Sequence, residues 1–170
     1  RHEVLIEESS PPVRFKDNRY CTVDSGLWVA PYTGITVNKA SQLDIDHMVP
    51  LANAHRSGGW AWDSEKKQAY ANARTFDGHL TAATASANRS KSDKGPEHWR
   101  PSNTSYWCDY AVIWITIKAK WELTATTAEW KALEEMLGAC SSKVIIGGTV
   151  TQPTIIVQSD SPTPSRIVAT

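Results

Sequence analysis

The sequence has no long apolar run, no excess of charge of either sign, and few cysteines. Its longest strongly apolar stretch, Ala111 to Ile117, is far short of the ~20 residues that a membrane-spanning helix needs, so no membrane partner is expected. No basic n-region followed by an apolar h-region opens the chain, which begins at Arg1 and reads as a processed or trimmed product. Lys and Arg number 18, as do Asp and Glu, so the net positive charge of a tight polyanion binder is missing. That balance still allows an enzyme that touches a few phosphates and lets go. CxxC and HExxH spacings are absent, which removes support for a structural zinc site or a zincin. No internal repeat is visible. The three cysteines, Cys21, Cys108 and Cys140, fit a reduced cytosolic protein or a secreted one with one or two bridges. Eight Trp and Ser/Thr-rich tails favour the secreted reading.

What is present is one globular domain and a tail. A chain of 170 residues suffices for one buried core and is too short for two full domains. Residues 1–140 carry the periodic segments, whereas residues 141–170 are rich in Ser, Thr, Pro, Ile and Val with few charges and read as a tail or linker, with a strand near Ile155-Ile156-Val157. Val4-Leu5-Ile6 reads as a short strand before the breaking pair Pro11-Pro12. A second strand precedes a turn over Pro31 to Gly34. Leu43 to Val49 alternates apolar and polar residues as a half-buried strand that stops at Pro50. Asp63 or Ser64 can cap a helix through Ala73, Asp77-Gly78 marks a turn, and a helix is expected near Ala83 to Lys91.

Trp107, Tyr110, Trp114, Ile117 and Trp121 recur at steps of three and four within Tyr106 to Leu123, which predicts one long helix with an aromatic face. Thr126-Thr127-Ala128-Glu129 reads as a capping box opening a last helix that Gly138 closes. If these two helices form an antiparallel hairpin, Cys108 and Cys140 meet as a disulfide; two buried free thiols are the alternative. Cys21 is then free, or has a partner upstream of Arg1, the reading we favour.

Asp46-His47 at the end of a strand offers a carboxylate for a hard cation beside an imidazole that takes protons at neutral pH. A regular strand sends neighbours to opposite faces, so both serve one site only if the strand ends or bulges there. An Asp-His pair by itself is more often incidental. The run Asn88-Arg89-Ser90-Lys91-Ser92-Asp93-Lys94 adds an amide oxygen as a second hard ligand and local positive charge, although a solvated helix end is its plainer reading.

DIDHMVPL followed by ASANRSKSDKGPEHWRP resembles the HNH, or ββα-metal, nucleases. The resemblance is to secreted deoxyribonucleases related to the C-terminal domain of GmrSD-type restriction enzymes, and it covers about Cys21 to Cys140. It implies an α+β fold with a ββα-metal core, a short antiparallel hairpin plus helix, flanked by further helices including the disulfide-linked C-terminal hairpin. It also implies that His47 is the general base, that Asp46 and Asn88 are metal ligands, and that one divalent ion, Mg²⁺ or else Mn²⁺ or another, is the cofactor. Arg89, Lys91 and Lys94 are the expected phosphate contacts, which position a strand without reading its sequence. Asp44, Asn72 and His79 are candidates for supporting roles, each with a bland reading beside it. The expected protein is thus a secreted, monomeric endonuclease with DNA as substrate and little sequence specificity. A nuclease acting on RNA or on both nucleic acids, and a catalytically silent nucleic-acid-binding module, are the alternatives.

Overall fold

The computed structural model describes residues 1–74 and 78–140, and the backbone of residues 165–166. The fold is mixed α+β. Six α-helices and small antiparallel sheets are present among the described residues. Strands β1 (Arg14–Phe15), β2 (Val23–Ala30) and β3 (Ile35–Lys39) form one sheet in that order. The β2–β3 turn runs over Pro31 to Gly34, where Gly34 takes a φ of +70° that side-chain-bearing residues rarely adopt.

A second hairpin forms a separate ladder. β4 (Leu43–His47) pairs with β5 (Leu80–Thr84) from Leu43↔Thr84 to His47↔Leu80 with no register shift. Between the two strands the chain forms α2 (Leu51–Arg56) directly after Pro50, and α3 (Ser64–Ala71), whose N-terminal amide on Lys66 is capped by Asp63. Helix α4 (Ala85–Lys91) follows β5 without a loop, because Thr84 accepts from the Ala87 amide and serves as its cap.

Two apolar clusters grip this hairpin. Leu43 and Ala82 join Leu5, Val23, Trp28 and Val37 on one side. Met48, Val49 and Ala83 join Tyr110, Trp114, Ile117 and Leu133 on the other. Each large aliphatic or aromatic side chain so buried stabilises by roughly 1.5–3 kcal/mol, so the hairpin is held from both sides.

The long helix is α5 (Trp107–Lys120), with Tyr110, Trp114 and Ile117 fully buried on the aromatic face and Trp121 at its cap. Helix α6 (Thr127–Leu137) opens with the capping box formed by Thr126 and Glu129. The Cys108–Cys140 disulfide ties the outer ends of this hairpin. Cys21 is an exposed free thiol.

Two local expectations are corrected. Val4-Leu5-Ile6 belongs to helix α1 (His2–Glu7), not to a strand. Its helical spacing lets Glu3 and Glu7 both reach Arg74, at 3.2 and 3.4 Å, while Leu5 enters the core and its carbonyl accepts from the Trp28 indole. The expected helix near Ala83 starts later, because β5 takes residues up to Thr84. Thr81, Ala82 and Ala83 are all buried, so burial and pairing with β4 override the weak strand propensity of alanine. The expected turn has Gly78 at a φ of +87°; its other residue, Asp77, and the expected strand near 155–157 lie outside the described residues.

Candidate active site

β4 carries two carboxylates at alternate positions, Asp44 and Asp46, which strand geometry sends to one face. Helix α4 lies against that strand. Asn88 Nδ2 donates to Asp44 Oδ2 at 3.3 Å, and one turn further on Lys91 Nζ donates to Asp46 Oδ2 at 2.7 Å and to the His47 carbonyl at 2.9 Å. A helix step of three thus answers a strand step of two. The Tyr32 hydroxyl, delivered by the β2–β3 turn, donates to the same Asp46 oxygen at 2.6 Å. The Lys91 side chain is 0% exposed and that of Asp46 7%. Burial holds the Asp46 carboxyl above its ordinary range and the Lys91 ammonium below its own, with their mutual attraction opposing both shifts.

His47 turns to different neighbours. Its Nε2 lies 2.9 Å from the Ala71 carbonyl at the end of α3, and its ring stacks near-parallel to Tyr70. A carbonyl only accepts, so Nε2 carries the hydrogen, and in the neutral ring Nδ1 keeps the lone pair. That is the nitrogen available to accept a proton. His79, 1% exposed, packs edge-on to His47 and bonds the Tyr70 carbonyl at 2.9 Å. Burial lowers its imidazole to about 4, so it stays neutral at physiological pH. β4 forms no bulge at Asp46-His47 and ends at His47 instead. Tyr70 and Ala71 also line a cavity of about 210 Å³, together with Leu51, Trp62 and Lys67.

The other expected site residues fall into three settings. Arg89 is exposed and in no ion pair among the described residues, and Lys94 is exposed with its ammonium on the Ser90 carbonyl. Lys91 is interior, and could reach a phosphate only by leaving Asp46. Asn72 is exposed and bonds the Gln68 carbonyl within its own helix end. Of the basic run, Lys91 is neutralised by Asp46, while Asp93, its one acid, pairs with Arg56 outside the run.

The donor set can be tested against a hard cation. Asp44, Asp46 and Asn88 gather three oxygen-bearing side chains at one strand–helix crossing, which suits Mg²⁺ or Mn²⁺. A half-turn of the Asn88 amide presents its oxygen where Nδ2 now meets Asp44. Both donors to Asp46 fall on Oδ2, so Oδ1 is the oxygen with which it can meet an ion. Among the described residues no group of three or more His, Cys, Asp or Glu is placed to hold a metal. The shell therefore needs Asn88 together with water or phosphate oxygens. With that completion the residues fit.

Sequence reasoning missed Tyr32 and Tyr70. Tyr32 carried a faint signal, an aromatic inside a Pro-Gly turn, but contacts 14 and 24 positions away (Tyr32 to Asp46, His47 to Ala71) leave no periodic trace.

A family model described as GmrSD restriction endonucleases, C-terminal domain, matches residues 15–136, from β1 into α6. An uncharacterized secreted protein of Arthroderma benhamiae is 44% identical over 120 residues, which are 71% of this chain and 58% of the relative. The chain thus spans less than two thirds of that relative's length. No solved structure matches. The matched span contains the β4–β5 hairpin, α4 and the residues gathered around Asp46, and on this match the chain belongs to the family of GmrSD restriction endonuclease C-terminal domains.

Proposed function

We propose that the protein is a secreted, monomeric, divalent-metal-dependent endonuclease that hydrolyses DNA with little sequence specificity. Family membership points to nuclease chemistry. The observation that carries the finer reading is the arrangement of β4, β5 and α4: a hairpin followed by a helix, with Asp44, Asp46 and Asn88 at their crossing and the lone-pair nitrogen of His47 defined at the strand end. This hairpin and helix are the proposed ββα-metal core. Secretion is supported by the secreted relative and by the disulfide, which persists in oxidising compartments.

In this reading Asp46 and Asn88 hold the cation, with Asp44 orienting Asn88. When bound, the cation neutralises phosphate oxygens and the departing oxygen. His47 accepts at Nδ1 the proton of a water that attacks phosphorus, while its Nε2–H stays on the Ala71 carbonyl and fixes the ring. As the P–O bond to the leaving group breaks, that oxygen takes a proton from solvent. Arg89 and Lys94, on the exposed side of α4 and just beyond it, meet phosphates of the strand. Nothing among these contacts reads a base edge. Plasmid nicking with MgCl₂ or MnCl₂, an EDTA control and a parallel RNA digestion test the proposal. Metal-dependent nicking of DNA is expected; RNA cleavage with intact plasmid would move the substrate to RNA, and no cleavage of either would refute it.

A further inference from the structure

Lys91 is the least expected residue of the site. It lies in a run, Arg89 to Lys94, whose other members are all exposed, yet its own side chain is 0% exposed. All of its polar contacts named above go to the two positions proposed for catalysis: the Asp46 carboxylate at 2.7 Å and the His47 carbonyl at 2.9 Å. The Tyr32 ring lies under the ammonium at 5.9 Å. A carboxylate taken out of water as far as Asp46 needs a compensating cation, and among the described residues Lys91 is the one in ion-pair contact with it.

We propose that Lys91 is the resident counter-cation of Asp46: it keeps the site folded when no divalent ion is bound, and competes with that ion for the carboxylate. The proposal rests on the reading of Asp46 as a metal ligand. Its physical content is a trade. With Lys91 in place the empty hairpin is already neutralised, so an entering dication meets a positive charge that must be repelled or swung aside. Without Lys91 the buried carboxylate is uncompensated, and a dication becomes the best available partner. Lys91 is therefore a positioning residue that sets how much of the fold depends on metal.

Lys91→Met keeps the length and removes the charge. Thermal unfolding in EDTA and Mn²⁺ binding by calorimetry, on the wild-type chain and on this variant, read the two halves of the idea. In EDTA, Lys91→Met should unfold at lower temperature than wild type, and Asp46→Asn added to it should recover most of that loss, because the double variant no longer buries a charge. Mn²⁺ should bind Lys91→Met at least about tenfold more tightly than wild type, the equivalent of 1.4 kcal/mol, and should raise its unfolding temperature by more. If Lys91→Met does not fold even with Mn²⁺, Lys91→Gln, which keeps a donor for the His47 carbonyl, carries the affinity measurement. Equal or weaker Mn²⁺ binding by the folded variant overturns the proposal, as does a double variant no more stable than Lys91→Met. Absence of Mn²⁺ binding in both proteins refutes the metal reading of Asp46 and removes the competition with it. Recovery in the double variant would then show Lys91 to be a structural counter-charge alone.

Discussion

Lys118 and Glu129 form a second buried ion pair, and cutting it gives a prediction whose size follows from the contacts. Lys118 Nζ lies 2.6 Å from Glu129 Oε1, with side chains 0% and 3% exposed. The ammonium also donates to Ser57 Oγ and the Thr124 carbonyl, each at 2.8 Å, and the Trp114 indole donates to the same Glu129 oxygen at 2.6 Å. Lys118→Met strands a buried carboxylate and leaves two acceptors without their donor. Removing one partner of such a pair costs about 3–5 kcal/mol. At roughly 2–4 °C per kcal/mol for a chain of this size, the unfolding temperature should fall by about 10 °C. Glu129→Gln should cost less, for two reasons. Glutamine preserves the capping box and an acceptor for Trp114, and burial already depresses the Lys118 ammonium below its usual range, so the lysine can shed its proton instead of remaining charged and alone. The double variant should be more stable than Lys118→Met by itself. Far-UV circular dichroism during thermal unfolding reads all three. A Lys118→Met protein that unfolds within about 2 °C of wild type, or a Glu129→Gln protein that loses more, would refute the reasoning.

Three further outcomes follow. Replacing both Cys108 and Cys140 with Ser opens a loop with a sequence separation of 32 and should cost about 3.7 kcal/mol in the chain-entropy model, read from the midpoint and slope of urea unfolding. His79 is neutral in the folded protein with its imidazole lowered to about 4, so the stability it contributes is complete above the unfolded value of about 6.5 and is lost as pH falls toward 4, by up to about 3 kcal/mol. Denaturant titrations across that range should show a shallower loss for His79→Gln, and an unchanged slope would refute the assignment. Asn88→Ala should weaken Mn²⁺ binding measured by calorimetry, and leave the unfolding temperature in EDTA within about 2 °C, because the side chain it removes is only partly buried and the helix it sits on is capped elsewhere.

Much of the fold around the candidate site was legible because its signals are local. The strand ending at His47 shows in the alternation before Pro50, the capping box in Thr126 and Glu129, and the disulfide in two helices whose outer ends must meet. Asn88 could be singled out because it shares a basic run with Arg89. What the sequence concealed is tertiary. A lysine between a serine and a serine in a charged run reads as solvated, and only the approach of α4 to β4 shows that Lys91 faces inward. The short alanine-rich strand β5 has no pattern of its own; β4 and two apolar clusters impose its conformation. In α1, an apolar triplet favoured a strand, while its anchor is tertiary: Leu5 is buried in the core and its carbonyl accepts from the Trp28 indole, 23 positions away.

In the proposed function His47, held through Nε2 by the Ala71 carbonyl, removes a proton in a metal-dependent cleavage of DNA. Plasmid nicking by the wild-type chain and by His47→Ala, each with Mn²⁺ and with EDTA, and Mn²⁺ binding measured on the same preparations, test it most directly. Cleavage is expected only with metal, with a loss of about 10²–10⁴-fold in His47→Ala and Mn²⁺ affinity close to wild type in that variant. Nicking by His47→Ala at the wild-type rate would contradict it.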